Sequence, residues 1–253
     1  HGNHEGHKKL FENVLKINEQ KEFNIGILAD LQGPKIRIGD VDYNGVELET
    51  GKRIVLTSEE QISNSEKVFV SYPYLSRDIK KGERILIDDG KLELRAGERI
   101  NDNSIYATVE HGGALNSKKG VNLPDSDLSV ASITDKDKED LKFAVEQGAN
   151  WIALSFVRKA DDIRELKSMI PDQDSIKVMA KIEKPEGVAN IDEIIEVADG
   201  IMIARGDLGI EVPLEKMPLV QKQIIKKCIC RAKPVVVATQ ILDSMIEMPS
   251  PTR

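Results

Sequence analysis

The sequence predicts an α/β protein with a parallel sheet of the β/α-barrel type, interrupted by a small β domain. Three observations carry that expectation. After Lys119-Gly-Val-Asn-Leu-Pro124, helical and strand-like segments alternate; between about Ile38 and Asn116 the pattern is a series of short β-like runs. Two apolar runs, Val178-Met-Ala-Lys-Ile-Glu-Lys-Pro-Glu-Gly187 and Gly200-Ile-Met-Ile-Ala-Arg-Gly-Asp-Leu-Gly209, then end abruptly in charge and glycine, one helix's worth of sequence apart. Alternation of this kind implies parallel strands covered by helices. In a β/α barrel, chemistry is built where strands end and loops begin, which singles out Lys181, Glu183 and Asp207.

Taken in order, Leu10, Phe11, Val14, Leu15 and Ile17 recur at helical spacing, so a helix is expected from about Glu5 to Gln20. A strand is expected over Asn24 to Ala29. The β-like runs are Val46 to Glu49, Arg53 to Leu56, Lys67 to Val70, Arg84 to Ile87, Lys91 to Leu94 and Ser104 to Val109, with Asp89-Gly90 as a hairpin turn. Together they read as a small all-β insert. Helices are then expected near Asp135 to Gln147, Ala160 to Ile170, Val188 to Val197 and Leu214 to Arg231, and strands near Trp151 to Ser155, Ile176 to Ile182, Gly200 to Ala204 and Val235 to Ala238. Five barrel-type strands result, three fewer than a closed barrel has, so the sheet is open or further strands lie beyond the ends.

The 253 residues are enough for one large domain or two smaller ones. With 36 basic and 43 acidic residues, a net charge of −7 and no basic block, the chain argues against a nucleic-acid partner. Cys228 and Cys230, two apart on a helical stretch, point to different faces and make poor joint ligands. A reduced, cytoplasmic setting is the simplest reading. No apolar run approaches the roughly 20 residues of a membrane span, so no membrane partner is expected. His1 at the start and Pro251-Thr-Arg253 at the end suggest a piece of a longer protein.

Strand periodicity puts Lys181 and Glu183 on one face, aimed into a barrel mouth; a structural ion pair at the rim reads equally well. Asp207 on the next strand end favours chemistry. Two carboxylates without nearby histidine or cysteine form a hard oxygen site suited to Mg²⁺ and a phosphorylated substrate. Arg205-Gly-Asp-Leu-Gly209 opens a short helix whose Gly206 and Asp207 amides could face an anion, or is an ordinary glycine turn. Arg37 and Lys119 bracket the insert and could hold nucleotide phosphates or merely keep the linkers soluble. Thr239, at the end of Val235-Val-Val-Ala-Thr, could bond a substrate or cap the following turn. His1, His4 and His7 stand at helical spacing, but solvent exposure explains them better than a metal.

Lys181-Ile-Glu183, Ala204-Arg-Gly-Asp-Leu-Gly209, Ala238-Thr-Gln240, Lys118-Lys-Gly-Val-Asn-Leu-Pro124 and Gly33-Pro-Lys-Ile-Arg37, in this order and spacing, resemble the pyruvate kinase family over essentially the whole chain. The resemblance implies a (β/α)₈ TIM barrel, incomplete here at about five of eight strands. Its A domain would comprise residues 1–37 and 117–253, interrupted by a β-barrel B domain over residues 38–116, with a C-terminal regulatory domain absent. It implies glycolytic, Mg²⁺-dependent transfer of a phosphoryl group from phosphoenolpyruvate to ADP, giving pyruvate and ATP, with Mn²⁺ as an alternative ion and a homotetrameric parent protein. By similarity Glu183 and Asp207 hold Mg²⁺, and Lys181 contacts the transferring phosphoryl group and the enolate oxygen. Thr239 with the Gly206 and Asp207 amides holds the substrate carboxylate, and Arg37, Lys119 and His1 match nucleotide-contacting positions, Arg37 being counted also among the catalytic groups. Asp30 and Leu31 match positions around the family's monovalent cation, whose remaining ligands would precede His1.

Two further readings stay open at this point: a Mg²⁺-dependent enolpyruvate-type lyase or aldolase barrel, and a chain that is not a working enzyme as it stands, since the isolated 253 residues are expected to be inactive without the missing barrel strands. The β insert, tethered near Arg37 and Lys119, would serve as a lid. Lys35 stands where potassium-dependent members carry glutamate, and a fixed ammonium can replace the charge of K⁺. Turnover of the complete enzyme is therefore expected without added K⁺; a strong K⁺ requirement at saturating substrate in a steady-state assay would overturn this.

Overall fold

A computed structural model describes residues 2–171, 175–239, 241 and 243–249 of the chain. They divide into two compact units, one of His1–Pro34, Ala131–Gly209 and Leu214–Arg253, the other of Lys35–Val130 with Ile210–Pro213. No helix among the described residues is long and apolar enough to cross a membrane.

The first unit opens with α1 (His4–Lys21), N-capped by Asn3, whose side chain accepts from the Gly6 N–H. Strand β1 (Leu28–Asp30) is shorter than the sequence suggests. The physical reason is local competition: the Asn18 side chain bonds both the N–H and the carbonyl of Ile25 at 3.0 Å, so those groups are not offered to a ladder.

In the second unit, β2 (Val46–Leu48), β3 (Arg53–Thr57), β4 (Lys67–Phe69), β5 (Arg84–Ile87), β6 (Leu92–Asn101), β7 (Ser104–His111), β8 (Gly113–Leu115) and β9 (Val121–Asn122) form two sheets. One is six-stranded, in the order β4-β3-β7-β6-β5-β9, and mixed, because β3 and β4 run parallel; β2 and β8 make an antiparallel pair. The predicted hairpin turn joins β5 to β6 through Asp88, Asp89 and Gly90 at φ of 53°, 57° and 84°. These left-handed values are the reason for aspartate and glycine there. The insert is not purely β. A short helix, α2 (Leu75–Asp78), closes over a core that includes Leu56, Val70, Ile85, Leu94 and Val109, and buries Leu75.

The first unit resumes with α3 (Asp135–Glu146), β10 (Trp151–Leu154), α4 (Ala160–Met169), β11 (Lys177–Ile182), α5 (Pro185–Ala189), α6 (Ile191–Val197), β12 (Gly200–Ala204), α7 (Arg205–Glu211, whose last two residues belong to the second unit), α8 (Met217–Cys230) and β13 (Val235–Ala238). Its five strands pair in parallel in the order β1-β10-β11-β12-β13, the partial barrel expected from the alternation. Ile152, Leu154, Val178, Ala180, Ile182, Ile201 and Ile203 have no measurable exposure, as expected of strands covered on both faces. The single helix expected at Val188 to Val197 is two, α5 and α6. Pro185 starts the first, since its missing N–H is unneeded there, and Asn190 breaks the pair while its side-chain amide donates to the Arg158 carbonyl at 2.9 Å. Similarly α8 begins at Met217 after a 3₁₀ turn over Leu214–Lys216, with Pro218 in its first turn.

Within the second unit, a partly buried polar cluster ties the chain leaving β9 to helix α2. The Tyr72 hydroxyl donates to Asp78, which also accepts from the Ser129 N–H at 2.8 Å, the Ser129 hydroxyl at 3.1 Å and Arg77 at 3.0 Å. Burial would raise the Asp78 carboxyl, but these donors outweigh it and hold it below its ordinary range. A carboxyl of lowered proton affinity stabilises the fold above its unfolded value, and that contribution is lost as pH falls through the depressed folded value. Tyr72→Phe is accordingly expected to lower stability at neutral pH by about 1–2 kcal/mol and to shrink the acid-dependent part, both read from urea midpoints against pH.

Candidate active site

The described first-unit residues singled out from the sequence as site residues lie at or just beyond the C-terminal ends of its parallel strands. Asp30 is the last residue of β1; Ser155 follows β10; Lys181 and Glu183 straddle the end of β11; Asp207 lies in the first turn of α7 after β12; Thr239 follows β13. In-register pairing of β10 with β11, Leu154 beside Ala180, sets Ser155 next to Lys181.

The Lys181 ammonium is 12% exposed and fully engaged. It bonds Asp30 at 3.0 and 3.1 Å, the Ser155 hydroxyl at 2.8 Å and Glu183 Oε1 at 3.2 Å. Burial lowers its proton affinity, but Glu183 and Asp30 together outweigh burial and hold the ammonium above its ordinary value. Glu183, 1% exposed, behaves differently. Burial pushes its carboxyl up, the nearby charge of Asp207 pushes the same way, and Lys181 with the Phe156 N–H only partly offsets them. The pair is thus unequal: Lys181 has two carboxylates, whereas Glu183 shares one ammonium against desolvation and a like charge.

Around this cluster the backbone is specialised. Phe156 sits at φ 55° and donates its N–H to Glu183 Oε2 at 2.7 Å. Gly33, at φ 68°, gives its N–H to the buried Asp137 at 3.0 Å. The same Asp137 bonds the N–H of Thr134, so one carboxylate caps α3 and anchors the loop after β1. Thr239 is also left-handed, at φ 66°, and its hydroxyl accepts the Gly206 N–H at 2.9 Å. The Gly206 amide, read from sequence as free to face an anion, is therefore engaged by Thr239.

Leu31 is buried, and its carbonyl accepts from Ser155 at 2.7 Å. In the second unit, the segments entering and leaving pair with each other: Arg37 bridges Gly120, and its guanidinium donates to the Lys118 carbonyl at 3.0 Å. Lys119 pairs with Asp88 at 2.9 Å, and that ammonium draws the Asp88 carboxyl below its ordinary value. Lys35 is exposed and runs alongside Gly120. His4 stacks on Phe143 with ring centroids 4.3 Å apart and bonds Asp140 at 2.8 Å, a packing role; His1 lies outside the described residues. Cys228 is buried, Cys230 is exposed, and both are free thiols. Sequence reasoning missed Ser155 and Phe156. The available signal was a polar residue ending the apolar run Trp151-Ile-Ala-Leu154, the same pattern that drew attention to Thr239.

The family model for the barrel domain of pyruvate kinase matches residues 1–253, the entire chain. The chain belongs to the pyruvate kinase family. It is 44% identical over 257 residues to the pyruvate kinase of Geobacillus stearothermophilus, covering all of this chain and 44% of that protein. It is 44% identical over 255 residues to that of Corynebacterium efficiens, covering 53% of it, and 41% identical over 256 residues to that of Clostridium acetobutylicum, covering 54%. The chain spans about half the length of these relatives.

Gly33 approaches this cluster closely: a Cβ there would lie 2.9 Å from the Phe156 ring and 3.0 Å from Ser155 Cβ, at a φ that L-residues avoid. Gly33→Ala is expected to destabilise the protein by about 1–3 kcal/mol, seen as a lowered Tm in calorimetry.

Proposed function

We propose that the protein is a pyruvate kinase, transferring the phosphoryl group of phosphoenolpyruvate to ADP to give pyruvate and ATP. The observation that carries this reading is the desolvated Lys181–Glu183 pair with Asp207 close enough to act on it, at the strand ends of a chain in this family. The donors suit Mg²⁺. They are carboxylate oxygens, and a divalent cation would relieve the raised proton affinity that burial and Asp207 impose on Glu183. Among the described residues no group of three or more His, Cys, Asp or Glu is arranged to hold a metal, so Glu183 and Asp207 would share the ion with substrate oxygens and water. When bound, Mg²⁺ or Mn²⁺ would neutralise charge on the phosphorylated substrate.

The remaining work falls to the chain. Lys181, kept charged by its carboxylates, meets the transferring phosphoryl group and stabilises the enolate oxygen as the P–O bond breaks. The substrate carboxylate takes over the Gly206 N–H from the Thr239 hydroxyl, joined by the Asp207 amide, and water ordered near Thr239 delivers the proton to the enolpyruvate carbon. Arg37 and Lys119, with His1, contact the nucleotide. The β-rich unit acts as a lid that excludes water. Lys35 takes the part of the K⁺ that Asp30 and Leu31 would otherwise help bind. The whole protein acts in glycolysis in the cytoplasm as a homotetramer, with no nucleic-acid or membrane partner.

Pyruvate release that depends on ADP separates this activity from a lyase, which needs no nucleotide. Lys181→Met is expected to lower kcat by about 10²- to 10³-fold while leaving phosphoenolpyruvate affinity largely intact, because a contact made in the transition state shows mainly in kcat. Steady-state rates with titrated phosphoenolpyruvate decide it, and turnover near wild type refutes the assigned role.

A further inference from the structure

The turn that follows β10 holds two groups to which neither motif nor family membership gave a part here. Ser155 is 2% exposed, and its hydroxyl has a single proton. The Leu31 carbonyl takes that proton at 2.7 Å, which leaves the oxygen to accept from Lys181 at 2.8 Å. Direction along the chain of bonds is therefore fixed, from ammonium to hydroxyl to main-chain carbonyl. The three N–H bonds of Lys181 go to Ser155, Asp30 and Glu183. Of these partners Asp30 is 52% exposed at its side chain and Glu183 only 2%. A ligand oxygen can replace Asp30 from solvent, whereas Ser155 and Glu183 stay.

The next residue, Phe156, occupies the left-handed region although it is not glycine, and that conformation accompanies the donation of its N–H to Glu183 at 2.7 Å. Its ring lies against Gly33, which has no Cβ to collide with it. One two-residue turn thus touches both members of the buried ion pair, through a hydroxyl on one and an amide on the other.

We propose that Ser155 and Phe156 are positioning residues of this site: they touch no substrate, and they fix the Lys181 ammonium and the Glu183 carboxylate in the geometry that transfer requires. This rests on the phosphoryl-transfer reading and names a part of the same site. The test compares Ser155→Ala with Ser155→Cys in the protein. Alanine removes the acceptor; cysteine refills the space, its sulfur being somewhat larger than the hydroxyl oxygen, but is a poor acceptor. Both variants are expected to lose kcat about 10- to 100-fold with the KM for phosphoenolpyruvate little changed and urea midpoints close to wild type. Recovery of kcat in Ser155→Cys alone would mean that packing is what matters, and would overturn the proposal. A crystal structure of either variant reads the positioning without turnover. Lys181 Nζ displaced by about 1 Å or more supports the proposal, and Nζ unmoved overturns it. If the unmodified protein makes no pyruvate from phosphoenolpyruvate and ADP, the phosphoryl-transfer reading falls, while the position of Nζ still decides the role of Ser155. Should the alanine variant not fold, the cysteine variant carries both readouts.

Discussion

Burying the Glu183 carboxylate is the constraint around which the first unit is arranged. An ionised carboxyl removed from water is unfavourable unless it is paired and hydrogen-bonded, and here the nearby Asp207 makes it more so. Lys181 and the Phe156 amide supply the compensation, but each brings requirements of its own. The ammonium needs Asp30 and Ser155 to satisfy its other protons, and the amide needs a left-handed residue outside glycine's usual province. Parallel strands meet these demands because their C-terminal ends bring side chains from β1, β10, β11 and β12 to one end of the sheet.

The same logic reaches one shell further out through Asp137. That fully buried residue caps α3 through Thr134 and holds the Gly33 amide, so the helix preceding β10 and the loop following β1 are locked to one carboxylate. Gly33 then lies flat against Ser155 and Phe156. The glycine in Gly33-Pro-Lys-Ile-Arg37 thus has a local reason for its presence, in the space and the φ that this approach demands, independent of any ligand.

Much of the architecture was legible in the sequence. Alternating helix and strand patterns predict the five parallel strands, and β5 and β12 begin and end where their apolar runs do. The Asp89-Gly90 turn is legible because its residue types answer a specific φ requirement. What was not legible is competition by side chains for backbone groups. Asn18 withdraws Ile25 from β1, and Asn190 divides α5 from α6, and neither effect has a periodic signature. In the site, Lys181, Glu183 and Asp207 stand out as charges ending apolar runs, whereas Ser155 and Phe156 look like ordinary strand-end residues. Their roles depend on a neighbour 26 or 27 positions away.

By itself the sequence determined most of the element types, helix α2 excepted, the parallel order of chemistry-bearing strand ends and the identity of the ionisable groups, because those follow from short-range pattern and residue type. Only the tertiary structure decided how the groups are partnered: that Lys181 has all three protons committed, that Glu183 is desolvated, and that Thr239 already occupies the Gly206 amide. Those facts depend on burial and on contacts between residues distant in the chain. They arise when the register of β10 against β11 sets the Ser155 hydroxyl beside an ammonium from the neighbouring strand.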